Sequence, residues 1–171
     1  MNRPTRRLDK IMSQPAAKKL LAAASVGRIG TVTPDGTPYV VPMHFVYTEG
    51  KVYLHSFPRG SKLENLAANP RVCFEVDEYL GVVPKDKACD YTTSYRSVVA
   101  FGRARVLDDP RRALDVLRLI TAKYGPGAPP PSEQDLKGVV AIEITIDELT
   151  GKQSGLVQQP DQGEAGHGNH Q

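Results

Sequence analysis

Between residues 28 and 57 the chain reads RIGTVT, PDGTP, YVVPMHFVY, TEGK and VYLHSF in unbroken succession. The three longer pieces alternate apolar and polar residues, and only turn chemistry separates them. Alternation at a period of two places one face of an extended strand inward. Pro34, Gly36 and Gly50 supply the backbone angles of tight reversals. Parallel neighbours need a crossover of a dozen or more residues, so connections this short allow only an antiparallel meander. Pro42 removes one ladder N–H from the second strand, and a bulge or a free edge is expected there. The same strand, VVPMHFVY, is apolar on both faces, which predicts burial on both sides or packing on a flat ligand.

Further strands obey the same period. RVCFEVDEYL turns Val72, Phe74 and Val76 one way and Cys73, Glu75 and Asp77 the other. SYRSVVAFGRARVL places Val98, Ala100, Gly102, Ala104 and Val106 on one face, small enough to line a narrow barrel. Its other face, with Val99, Phe101, Arg103 and Arg105, suits half solvent and half partner. In VVAIEITIDEL, Val140, Ile142, Ile144 and Ile146 are expected inward. GVVPKDKACDYTT reads as a loop or weak edge. Three helices fill the connections. Ser13 and Pro15 open one that Gly27 ends. Ser61 and Glu64 form a capping box opening a second, which Asn69-Pro70 stops. Asp109 and Pro110 start the third. Six strands in antiparallel order with helices between them predict a β-barrel with α decoration, an α+β fold.

The chain has 171 residues, 40% apolar and 24% charged, the balance of one globular domain. The expected division is a flexible basic arm over 1–12, one domain over 13–152 and a disordered polar tail over 153–171. The formal net charge is only +3, and RPTRRLDK is the one dense basic block. A short arm of that kind is solvated, and nucleic acid is not the expected partner. No apolar run approaches the ~20 residues of a membrane span. Two cysteines without a secretory segment give neither a disulfide framework nor a zinc pattern, so a cytoplasmic protein is expected. His167 and His170 lie in the polar tail and are not read as a metal site. A Ser/His/Asp triad has no supporting elbow motif.

LHSFPRGSKLENLAANP, residues 54–70, is the stretch with the most chemistry. A strand ends at His55 and Ser56, a Pro-Arg-Gly turn follows, and a helix opens at Ser61 and Lys62. The first turn of a helix offers unpaired N–H groups and partial positive charge, which suits an anion. A lysine there opposes the helix dipole, unless a phosphate lies between them; Arg59 is close enough to join. The same residues would serve equally as a capping box with a solvated lysine. His44 reads most simply as a hydrogen-bonded structural histidine. Arg96, on the face that continues into the small core positions, would need an anion or several carbonyls at a barrel mouth.

Four stretches, GTPYVVPMHFVYTEGKVYLHS, GSKLENLAANPRVCFEV, YTTSYRSVVAFGRARVL and VVAIEITIDELTGK, occur in the order of a known family. Through them the chain resembles the flavin-binding split-barrel superfamily that includes pyridoxamine-phosphate oxidase, and within it the nitroimidazole-resistance-type flavoproteins. The resemblance implies an antiparallel split β-barrel of the FMN-binding type, working as a homodimer with FMN at the subunit interface. It implies that Pro42, Met43, His44 and Phe45 line the flavin ring. His55, Ser56, Ser61 and Lys62 would hold the phosphate, and Tyr95, Arg96 and Ser97 would reach the cofactor from the partner. The implied activity is FMN-dependent oxidoreduction of a small organic substrate, with no catalytic acid or base assigned. The alternatives are a reductase using deazaflavin F420, or a flavin- or haem-binding carrier or sensor without turnover. One departure bears on drug reduction: many nitroimidazole-resistance-type members carry His immediately before the Lys, where this chain has Ser61. The chain also lacks the basic C-terminal substrate segment of a true pyridoxamine-phosphate oxidase.

Overall fold

The computed structural model describes residues 7–155. Residues 1–6 and 156–171, with His167, His170 and most of the expected polar tail, lie outside the described residues. The elements in chain order are α1 (Gln14–Ala23), β1 (Gly27–Val32), β2 (Pro38–Met43), β3 (Phe45–Thr48), β4 (Lys51–Ser56), α2 (Ser61–Ala68), β5 (Arg71–Val83), β6 (Thr92–Val106), α3 (Pro110–Tyr124) and β7 (Val140–Ser154).

The strands form one seven-stranded sheet in the order β2-β1-β5-β6-β7-β4-β3. Every neighbouring pair is antiparallel. β2 and β3 occupy opposite edges, yet only His44 separates them in the chain. A sheet whose two edges are joined through one residue has to curl on itself. The result is a barrel that stays open where β2 and β3 part, a split barrel.

Two readings change here. YVVPMHFVY is two strands rather than one, because Met43 pairs with Gly27 of β1 while Phe45 pairs with Leu54 of β4. The sheet therefore has seven strands, not six. β2 is also not buried on both sides: it is a free edge, as Pro42 foretold, and Val40 is 62% exposed.

The barrel interior follows the alternation closely. Val72, Phe74 and Val76 of β5, Val98, Ala100 and Ala104 of β6, Val52 and Leu54 of β4, and Ile142 and Ile144 of β7 are buried together, with Ala17 and Leu21 of α1 plugging one end. Gly102 marks a close approach of two strands: a Cβ there would lie 2.1 Å from the Thr145 carbonyl oxygen, beside the register shift between β6 and β7.

Element boundaries differ from expectation at four places. α1 stops at Ala23, and Gly27 opens β1 instead of ending the helix. β5 runs through an irregularity at Tyr79–Gly81 to Val83 and pairs with Thr92 and Thr93, so the strands extend into a hairpin arm at both ends of residues 81–93, while 84–91 between them form the loop that was one of the two expectations. β7 continues to Ser154. Ahead of α1, Ile11 bridges Lys152, and the Met12 N–H donates to the Gly151 carbonyl at 2.9 Å with Met12 buried. The folded body thus reaches past 13–152 at both ends.

α3 begins as expected: the Asp109 carboxylate accepts the Arg111 N–H and Pro110 takes the first helical position. Its apolar stripe, Ala113, Val116 and Ile120, covers Leu107 and Ala141 on the outer face of the sheet. Beneath the same helix lies Glu143, 1% exposed. Its carboxylate accepts from Arg105 at 2.8 Å, Arg112 at 2.9 Å and Lys51 at 3.1 Å, joining β7 to β6, α3 and β4. Burial would raise this carboxyl; the hydrogen bonds from Arg105 and Lys51 outweigh it and hold the group below the ordinary carboxylate range. Among the described residues no helix is long and apolar enough to cross a membrane.

Candidate functional site

The split in the barrel makes a cleft. β2 ends at Met43, β4 ends at Ser56, and α2 starts nearby at Ser61. A cavity of about 370 Å³ there is lined by Val26, Pro42, Met43, His44 and His55. Four of these were expected to contact a cofactor; Val26 carried no sequence signal beyond being apolar. A larger hollow of about 500 Å³ at the start of α3 is lined by Asp109, Arg111, Glu133 and Lys137 among others. Its acids and bases balance, so it offers no net attraction to an ion.

The cleft does not balance. Lys62 is half-buried, and its ammonium donates to the Met43 sulfur at 3.4 Å. Thioether sulfur is a weak acceptor. Burial pushes the Lys62 ammonium below its ordinary value. Burial, followed by the charges of His44 and Lys62, pushes the His55 imidazole down as well. The His55 Nδ1 atom is buried and has no hydrogen-bond partner among the described residues. Three basic side chains therefore approach one another with no acidic partner among the described residues. A buried polar atom without a partner is rare and calls for an explanation.

Local structure fixes this arrangement. His55 and Ser56 close β4 opposite Ala141 and Val140 of β7. Gly60 then turns at φ 117°, which an L side chain rarely adopts. Gly60, not Ser61, is the N-cap of α2, and no side chain caps it. The expected capping box is thus absent: Gly60 has taken the cap position, leaving Ser61 as the first helical residue, exposed to solvent. The Leu63 and Glu64 N–H groups reach the Gly60 carbonyl at 2.9 and 3.2 Å. The Ser61 and Lys62 N–H groups precede the first such bond and face out of the helix start. A buried bond anchors this helix, with the Asn65 amide donating to the Thr31 hydroxyl of β1 at 3.0 Å.

Phe45 does not face the cleft. Its ring is fully buried and packs edge-on against Phe74, with centroids 4.9 Å apart. His44 instead stacks on Tyr124, centroids 4.3 Å apart and planes 17° from parallel. Neither Tyr124 nor Lys123 was read as part of the site; both come from α3, and nothing local in the sequence links them to residue 44.

Tyr95, Arg96 and Ser97 lie elsewhere. They pair with Tyr79, Glu78 and Asp77 of β5 and with Ser154, Gln153 and Lys152 of β7. Arg96 Nε stands 3.2 Å from Glu78 Oε2, an ion pair whose angle falls outside that of a hydrogen bond. The two walls of the cleft meet this strand at different heights: Pro42 pairs with Arg28, Arg28 with Glu75 and Glu75 with Val99, while His55 pairs with Ala141, the neighbour of Ile142 that faces Val106. Tyr95, Arg96 and Ser97 are not among the residues lining the cavity.

A split antiparallel barrel with a basic cleft at its opening defines a class of cofactor-binding β-proteins. Residues 13–153 match the family model described as pyridoxamine 5'-phosphate oxidase, and the chain belongs to that family. An FAD-binding protein from Mesorhizobium loti is 31% identical, with 85% of this chain and 98% of that one covered at a TM-score of 0.61. A 5-nitroimidazole antibiotic resistance protein from Bacteroides thetaiotaomicron, so described provisionally, is 27% identical over 83% of this chain and 85% of that one, TM-score 0.72. A flavocytochrome from Azotobacter vinelandii shares the fold at a TM-score of 0.79 and 23% identity, covering 89% of this chain and 72% of that one.

Proposed function

We propose that this chain is a cytoplasmic, homodimeric flavoprotein that holds FMN in the cleft and catalyses oxidoreduction of a small organic molecule. The observation that carries the reading is the convergence of His44, His55 and Lys62 without an acidic partner among the described residues. A phosphate dianion would complete that set. Lys62 and the free N–H groups of the α2 start would bind it by charge-assisted hydrogen bonds, and the unpartnered Nδ1 of His55 could donate to it. Pro42, Met43 and His44 would flank the ring. FMN, when bound, supplies hydride and single-electron transfer; the chain supplies position and electrostatics. The FAD-binding relative supports a flavin, although its name points to a larger one.

Two features favour a dimer. Tyr95, Arg96 and Ser97 do not line the cavity of their own chain, and a second copy would bring them to it. β2 and the far half of β5 carry exposed apolar groups, Val40 at 62% and Tyr79 at 66%. Purification tests the reading directly. The expected result is a yellow protein that releases FMN on denaturation, identified by mass, and sediments as a dimer. Release of F420, a Soret band from haem, or a monomer that takes up no flavin would overturn it.

A further inference from the structure

Lys123 and Tyr124 close α3, and both reach away from it. The Lys123 ammonium donates to the Ala24 carbonyl at 2.7 Å and the Ala22 carbonyl at 3.2 Å, at the end of α1. A cation suits the carbonyl end of a helix. The same ammonium sits 4.3 Å from the centre of the Phe45 ring. The Tyr124 hydroxyl accepts the Phe45 N–H at 3.0 Å. It lies 2.8 Å from both the Ser25 and the Phe45 carbonyl oxygens, one of which takes its proton. Its ring stacks on His44.

One helix end therefore grips two stretches of backbone: the one entering Val26 and the one leaving His44. Those two residues are walls of the cleft. Neither is held by a strand ladder, because Val26 precedes β1 and His44 is the single residue between β2 and β3. We propose that Tyr124, backed by Lys123, is a positioning residue that fixes the spacing of the Val26 and His44 walls and so selects the flat ring the cleft admits. This rests on the flavin reading above. A pre-set gap spares the ligand the ordering of its own walls, which is where binding sites lose affinity.

Tyr124→Phe removes the hydroxyl and keeps the ring. Riboflavin and FMN are titrated into both proteins by fluorescence quenching, with circular dichroism and the thermal midpoint as controls for folding. Because the wall acts on the ring, affinity for both flavins should fall by the same factor, about five- to tenfold for one lost hydrogen bond. A second readout needs no flavin: the His44 imidazole C–H resonances, displaced by the Tyr124 ring, should move toward random-coil positions in the variant. A folded variant with unchanged riboflavin affinity, or with unmoved His44 resonances, overturns the proposal. Should Tyr124→Phe fail to fold, Lys123→Met goes through the same titration, with a smaller but again equal loss expected. A wild-type chain that binds neither flavin refutes the flavin reading, and the His44 resonances then decide the positioning claim alone.

Discussion

The two ends of β4 handle charge in opposite ways. At one end Lys51, with Arg105 and Arg112, closes on the buried carboxylate of Glu143. At the other, His55 meets His44 and Lys62, and no acidic side chain among the described residues answers them. The first cluster is complete within the chain and stitches α3 to three strands, so it stabilises the fold. The second gathers basic groups in a half-buried cleft without a counter-ion, so that holding charge there opposes folding unless something anionic joins it. Residues kept at such a local disadvantage are where a site is to be sought.

The widest separation between the two clusters should appear on removing one member of each. Glu143→Ala leaves three cations around a buried gap. Breaking a buried pair costs about 3–5 kcal/mol, and the lower end applies here because Arg105 and Arg112 remain roughly half exposed to solvent. Urea unfolding of the flavin-free protein should show that loss, with flavin affinity of the folded protein unaltered. Lys62→Ala should do the reverse. Flavin-free stability stays level or rises, while FMN affinity drops by about 1.5–3 kcal/mol and riboflavin affinity stays put. If both variants lost stability alike, the contrast would be gone.

Acid separates them next. The Glu143 carboxyl has a folded value below its ordinary one, so its contribution is whole above about pH 4.3 and disappears as pH falls through the folded value. The His55 imidazole also has a lowered folded value, but it is a base, and the unfolded chain takes up the proton first. Its contribution is therefore whole above about pH 6.5 and is eroded as pH falls from there toward the folded value. Between pH 7.5 and 5 the flavin-free wild type should lose stability that His55→Gln does not lose. Parallel urea midpoints for the two proteins across that range would show that the cleft carries no such strain.

How far the sequence reveals each cluster follows from what holds it. Alternation fixed the inward faces of β5 and β6 correctly because each depends on neighbours in the same strand. The same alternation hid Glu143: in VVAIEITIDEL it reads as solvent-facing, and only α3, placed on it from residues 110–124, buries it. The break at His44 was masked by an apolar run, since it comes from sheet closure and not from local propensity; Pro42 was the one local trace. Tyr124 and Lys123 were illegible because a stacking contact between residues 44 and 124 leaves no mark at either position. The resemblance, not alternation, put Phe45 beside the flavin ring; past the strand break its side chain turns into the core against Phe74.

Ser61 offers the finest test. If it were the N-cap of α2, Ser61→Ala would destabilise the flavin-free protein by about 1 kcal/mol. With Gly60 in the cap position and Ser61 exposed as the first helical residue, the change should stay within about 0.5 kcal/mol, as for an ordinary surface substitution. The hydroxyl can still meet a phosphate at the helix start, and its loss there should weaken FMN by about 1 kcal/mol, leaving riboflavin alone. The two measurements move independently, so a cap and a phosphate contact cannot be confused. A fall in stability with no change in FMN affinity would return Ser61 to ordinary helix chemistry and leave Lys62 to carry the cradle with the backbone alone.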